Sequence, residues 1–224
     1  MIRKLIALTV LSALCSCAQV KDKAPKMSAV DVLKQQGSSV RTITPIFSQL
    51  VTFSLPKGFM PAFENVKGGN FYIQEAVLDG ESVKKWSQMI TVTGAKGLSS
   101  NPDLTPKRFA NGMAGGFKHD CPDSFSATNF GEMKIGINDA FAAVLSCGIA
   151  SPTEPYSESM LLIVVKGEND YYTIQWAERG DASETPIKFD YVKWANRIVK
   201  LAPIKLCPIV PGEQAPYPSC LNRT

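Results

Sequence analysis

The chain is predicted to fold as a single α+β domain, an antiparallel β-sheet with helices packed on it. Three observations predict it. In the second half, two pairs of strand-like segments are joined by short polar turns, at Asn138-Asp139 and across residues 167–170. Thr105-Pro106 opens a segment whose large apolar residues, Phe109, Met113 and Phe117, recur every four positions, as one face of a helix requires. The 224 residues are 45% hydrophobic and 20% charged, enough apolar mass for a core and too little charge to keep the chain unfolded.

Taken in order, Val51-Thr52-Phe53-Ser54-Leu55 alternates with period two and stops at Pro56-Lys57-Gly58, which predicts a strand and a turn. Residues 70–78 predict a second strand, closed by Asp79-Gly80. Val83, Trp86, Met89 and Ile90 fall at i, i+3, i+6 and i+7 and predict a helix. The helix opened by Thr105 at its N-cap follows, with Gly112, Gly115 and Gly116 marking either close packing or its end. Residues 125–137 and 140–149 make the first hairpin, and residues 160–166 and 171–178 the second.

Met160-Leu161-Leu162-Ile163-Val164-Val165 is continuously apolar, so that strand is expected to be central and covered on both faces. Its partner alternates, with Tyr172, Ile174 and Trp176 on one face and Tyr171, Thr173 and Gln175 on the other. Pro186 opens a last helix with Phe189, Val192, Ile198, Val199 and Leu201 on its buried side, and Pro203 ends it. Trp86 and Trp194 sit at helical positions and read as core. The globular domain spans residues 40–205.

The amino terminus has a different pattern. Arg3 and Lys4 precede an apolar run of about 14 residues, from Leu5 to Ala18, too short for the ~20 that cross a bilayer. A basic start, a short apolar stretch and small residues make up a secretory signal peptide. Within it, Leu14-Cys15-Ser16-Cys17 resembles the lipobox of bacterial envelope lipoproteins. The resemblance implies lipid on the Cys17 thiol, cleavage before Cys17 and acylation of the new amino group. Residues 1–16 are then the leader, and residues 17–39 a lipidated amino terminus and polar tether, with a short helix at residues 29–36. Ala18, where aspartate would favour inner-membrane retention, points to the outer membrane facing the periplasm. The same residues admit a second reading, cleavage after Ser16-Cys17-Ala18, which leaves a soluble periplasmic or secreted protein starting at Gln19.

Lys+Arg of 24 against Asp+Glu of 20 gives a net charge of +4, and loss of Arg3 and Lys4 with the leader leaves 22 basic against 20 acidic residues. A nearly neutral protein is not a nucleic-acid binder. Four cysteines remain beyond Cys17: Cys121, Cys147, Cys207 and Cys220. An even number in an exported chain predicts disulfides, and four cysteines allow three connectivities. Cys121–Cys147 with Cys207–Cys220 is favoured because each pair closes a local loop. The second pair would staple a tail, residues 206–224, whose Pro208, Pro211, Pro216 and Pro218 keep it from holding itself in a helix or sheet.

Phe53-Ser54-Leu55-Pro56-Lys57-Gly58-Phe59 resembles the opening strand and turn of Mog1/PsbP-like domains. The closing strands followed by a carboxy-terminal helix are similar too, so the resemblance covers most of residues 50–201. The disulfides and the long central helix depart from it. It implies a helix–sheet–helix sandwich used for binding or assembly and seldom for catalysis.

Catalytic signatures are sparse. The chain has one histidine, His119, and His119-Asp120-Cys121 are sequence neighbours that do not face one another, so they read as a helix end beside a disulfide cysteine. No G-x-S-x-G, P-loop, dinucleotide fingerprint or EF-hand loop occurs, and no cofactor or metal site is expected. Glu75, Asp79, Glu178 and Asp181 are the carboxylates that a hydrolase of the cell envelope would have to bring together. Trp176, Glu178 and Arg179, at the polar end of a strand, form a candidate protein interface. The opposing reading is a buried tryptophan and a solvated turn in which Arg179 pairs with an acid. The function expected is a membrane-anchored, non-catalytic binding or assembly module with an envelope protein as partner. The alternatives are an immunity or inhibitor protein against an exported toxin, and a carboxylate-dependent hydrolase.

Overall fold

The structure, a computed structural model, describes residues 39–151 and 153–221. The leader, Cys17, the tether and the short helix expected at residues 29–36 lie outside the described residues. Strands β1 (Val40–Ile46), β2 (Gln49–Leu55), β3 (Phe59–Lys67), β4 (Phe71–Leu78) and β5 (Gln88–Ala95) come first. Helix α1 (Pro106–Asp120), then β6 (Phe125–Ile135), β7 (Asn138–Cys147), β8 (Ser157–Lys166) and β9 (Tyr171–Gly180) follow. Helix α2 (Tyr191–Leu201), strand β10 (Lys205–Pro208) and a helical turn α3 (Pro218–Leu221) complete the chain.

Seven strands form one sheet in the order β3-β4-β5-β9-β8-β7-β6, and three form a second, β1-β2-β10; every pairing is antiparallel. Helix α1 packs on one face of the large sheet, through Phe109, Ala110, Met113 and Phe117. The small sheet and α2 cover the other face. The domain is thus α+β with helices on both sides of a sheet, and the small sheet shares one of those sides.

Strand β8 shows why. Leu161, Ile163 and Val165 turn toward the small sheet, and Met160, Leu162 and Val164 toward α1, all of them buried. Successive side chains point to opposite faces, so a strand covered on both faces is apolar at every position. The same logic corrects the helix expected at residues 83–90. Met89 and Ile90 are consecutive residues of β5 that enter opposite cores, and a bridge between Ser82 and Lys85 makes the preceding turn. Over a few residues, two-sided burial imitates helical spacing.

Other expectations are adjusted by packing. The first hairpin closes at Ile135 opposite Asn138, so its turn is Gly136-Ile137 and not Asn138-Asp139. Gly136 supplies the positive φ, 61°, that the tight turn needs. Helix α1 starts at the predicted cap, where Thr105 Oγ1 accepts from the Arg108 N–H at 3.2 Å, and it runs through its three glycines, which face open space. Helix α2 starts at Tyr191, capped by Asp190, and not at Pro186. Its buried stripe is Trp194, Arg197 and Leu201, while Val192 and Val199 are 68% and 70% exposed. Leu206-Cys207-Pro208, expected in an irregular tail, pair with β2 as an edge strand, where a terminal proline costs no ladder bond. The structure bonds Cys207 to Cys220 and packs both against Leu50.

Asp170, 2% exposed, ties three loops together. It accepts from Ser48 N at 3.1 Å, Ser48 Oγ at 2.5 Å, Gly97 N at 2.7 Å and the Tyr172 hydroxyl at 3.2 Å. Gly94 lies under the β1–β2 turn, where any Cβ would strike Ile46. Burial alone would push the Asp170 carboxyl up, but the hydrogen bonds from Ser48, Gly97 and Tyr172 outweigh it and hold the pKa below the usual aspartate value. A carboxylate depressed in the folded state contributes stability that is complete above its unfolded pKa, near 3.9, and is lost as pH falls through the folded value. Asp170→Asn is therefore expected to destabilise the domain by about 1–3 kcal/mol at neutral pH, and denaturant unfolding should show a shallower fall in stability with acid than in the wild type.

Candidate functional site

Strand β9 ends in Trp176-Ala177-Glu178-Arg179, and alternation sends Trp176 and Glu178 to the α2 face and Arg179 to the α1 face. The interface expected at these three residues is divided by the sheet. Trp176 is interior, 5% exposed, edge-on to Phe59 with ring centroids 5.4 Å apart, and its Nε1–H donates to Gln88 Oε1 at 3.0 Å. It offers no surface anchor. Glu178 accepts from Lys193 Nζ and Arg197 Nη2, each at 2.5 Å. Arg197, with a side chain only 9% exposed, lies between the rings of Trp176 and Trp194 at 4.8 and 4.4 Å. Burial lowers its pKa, and Glu178 works in the opposite direction. This cluster locks α2 to the sheet.

On the opposite face, the Arg179 guanidinium sits 3.9 Å from the Trp86 ring and 4.2 Å from the Tyr156 ring, with Nε 3.5 Å from Glu158 Oε2. Glu158 stands opposite Arg179 in the β8–β9 register and opposite Cys147 in the β7–β8 register. Cys147 is bonded to Cys121, the residue that caps the carboxyl end of α1, so the disulfide holds the last turn of the helix against the strand end. Gly148 lets the following chain close in, since a Cβ there would meet Ser183 O and Ser124 Cβ. The result is a cavity of about 150 Å³ lined by Phe117, Asp120, Cys147, Ala150, Tyr156 and Glu158. The Glu158 side chain is 22% exposed; burial pushes its carboxyl pKa up, and Arg179 offsets that only in part.

The remaining candidates fall elsewhere. His119 is exposed in the last turn of α1, and Cys121 is held in its disulfide, so no thiol–imidazole pair forms. Glu75 shares a register row with Thr91 and Gln175 and projects on the α1 side, whereas Glu178 projects on the α2 side. These two carboxylates cannot flank one substrate. Asp79 and Asp181 are exposed in the loops that follow β4 and β9. Among the described residues, no three His, Cys, Asp or Glu side chains could hold a metal ion, and no helix is long and apolar enough to cross a membrane. A larger cleft, about 410 Å³, runs between the start of α1 and the β6–β7 hairpin, but its Lys134–Asp139 pair is solvated and closed on itself at 2.5 Å.

Sequence reasoning passed over Tyr156, Glu158 and Arg197. Glu158 carried a signal, being the single charge between Glu154 and Lys166 at the head of an otherwise apolar strand. Arg197 carried none, because only the fold shows that its place in the helix faces a carboxylate.

No protein-family model matches the chain, and no curated protein matches it in sequence. Among solved structures, the chain is similar to a crystal structure from Bacteroides thetaiotaomicron at 15% identity, over 73% of this chain and 47% of that one, with a TM-score of 0.37. It is similar to a mutant of protein Mog1 at 10% identity, over 70% and 84%, with a TM-score of 0.40. It is also similar to LpqN of Mycobacterium tuberculosis, described as involved in cell envelope biogenesis, at 8% identity, over 83% and 100%, with a TM-score of 0.37. The chain spans about half the length of the first of these. Likenesses at this level do not bear on function.

Two outcomes are expected from these contacts. Glu178→Gln leaves a buried guanidinium without its counter-charge and should cost about 3 kcal/mol in urea unfolding, near the lower end for breaking a buried pair. Replacing Cys121 and Cys147 together by serine opens a loop of 26 residues and should cost roughly 3 kcal/mol, read as a lowered Tm.

Proposed function

We propose that the chain is a lipid-anchored protein of the bacterial cell envelope, outer-membrane and facing the periplasm, whose folded domain binds a partner protein without catalysis. Cysteine use carries the reading. All four cysteines of the described residues are bonded in pairs, as suits an oxidising compartment, and Cys17 stands in the lipobox pattern Leu14-Cys15-Ser16-Cys17. Several acyl chains on one cysteine hold a protein to a membrane, because each buried CH₂ contributes about 0.8 kcal/mol.

The interior supports binding over chemistry. The one histidine, the paired cysteines and the separated carboxylates Glu75 and Glu178 assemble no nucleophile, base or acid pair. The polar side chains that do converge are engaged in stacking and ion pairs at strand ends.

Metabolic labelling with palmitate tests the anchor. The wild-type chain is expected to take up label and to accumulate with its leader attached when lipoprotein signal peptidase is blocked, and Cys17→Ala should take up none. An unlabelled mature protein beginning at Gln19 would reject the lipid and leave the soluble reading.

A further inference from the structure

We infer that the cavity beside the Cys121–Cys147 disulfide is a binding site for a small organic ammonium, a protonated primary amine on a short aliphatic stem. The inference deepens the proposed binding role by naming a ligand class for one site, and rests on that reading only in taking the site to bind and not to react.

The lining sets the chemistry. Phe117, Tyr156, Ala150 and the Cys147 side chain are apolar or aromatic, and Asp120 and Glu158 are the ionisable groups among them. Among the described residues Arg179 pairs with Glu158 alone, and it is already held by Glu158 Oε2 and the two flanking rings. Asp120 makes no ion pair among the described residues, and Glu158 makes only the one with Arg179. The last carbonyls of the 15-residue helix α1 end beside Asp120 and add to the negative potential. A cation is attracted to carboxylates and to aromatic faces alike, while an aliphatic stem is at home against Phe117 and Ala150.

Charge excludes the other classes, and a volume of about 150 Å³ has room for an ammonium on a short stem. An anion would meet two carboxylates. A hard metal ion needs about six oxygen ligands and would find two carboxylate side chains among apolar walls. A neutral apolar guest would cover Asp120, which has no ion-pair partner among the described residues, without supplying one.

Calorimetric titration of the full-length chain with n-butylammonium, against n-butanol as the uncharged isostere, tests the assignment. Saturable binding of the ammonium is expected, at least about tenfold tighter than the alcohol, as loss of a charge-assisted contact implies. Asp120→Asn and Glu158→Gln should each weaken it by about tenfold, and Asp181→Asn, an exposed carboxylate outside the cavity, should leave it unchanged. Equal affinity for the alcohol, no saturation, or equal weakening by Asp181→Asn overturns the assignment. Asp120 is exposed at a helix end, so its variant decides the matter even if Glu158→Gln does not fold. A negative titration leaves the palmitate result untouched, and the two readings fail separately.

Discussion

The centre of the large sheet is buried on both faces, and that constraint governs the rest of the molecule. Strands β8 and β7 hold almost no exposed side chain along their length, since α1 occupies one side and the small sheet with α2 the other. Each fully buried leucine, isoleucine or valine there contributes about 1.5–3 kcal/mol relative to exposure. Polar groups with a task are consequently displaced to strand ends or must bring their own counter-charge inward.

Both solutions occur at the end of β9. On one face the Arg197 guanidinium has moved into a core position of α2, made tolerable by Glu178, Gln88 and two tryptophan rings. On the other, Arg179 lies flat between Trp86 and Tyr156 and leans on Glu158. Glu178 and Arg179, which anchor the two assemblies, are consecutive in the strand, and the whole thickness of the sheet separates them in space. A single motif read from sequence thus belongs to two unrelated sites.

The disulfide and Asp170 act at opposite ends of the sheet and in similar ways. Cys121–Cys147 pins the end of α1 to β7, while Asp170 gathers the β1–β2 turn and the loop after β5 onto the β8–β9 hairpin. Each ties the chain ends and loops down by covalent or polar contacts, since loop backbone must satisfy its polar groups locally. The cavity beside the disulfide owes its shape to this anchoring.

Local rules made much of this legible beforehand. Thr105-Pro106 announced α1, the apolar run from Met160 announced a doubly covered strand, and the alternation at Tyr171–Trp176 gave both faces of β9. The helix expected at residues 83–90 came from burial on two sides, which erases periodicity. Met89 and Ile90 looked helical because both are apolar, and nothing local marks Arg197 as buried because it is charged. The cavity was legible only in part: Asp120, Cys147 and Arg179 had been noticed for other reasons, whereas Tyr156 and Glu158 had not.

By itself the sequence determined the element types, the antiparallel hairpins and the few residue types on which chemistry could draw, because propensity, turn residues and alternation act over a few positions. Tertiary structure alone decided which carboxylate meets which cation, and that Glu75 and Glu178 look away from each other. Strand register and the side of the sheet on which a helix lands depend on contacts between residues far apart in the chain, and no local pattern encodes them.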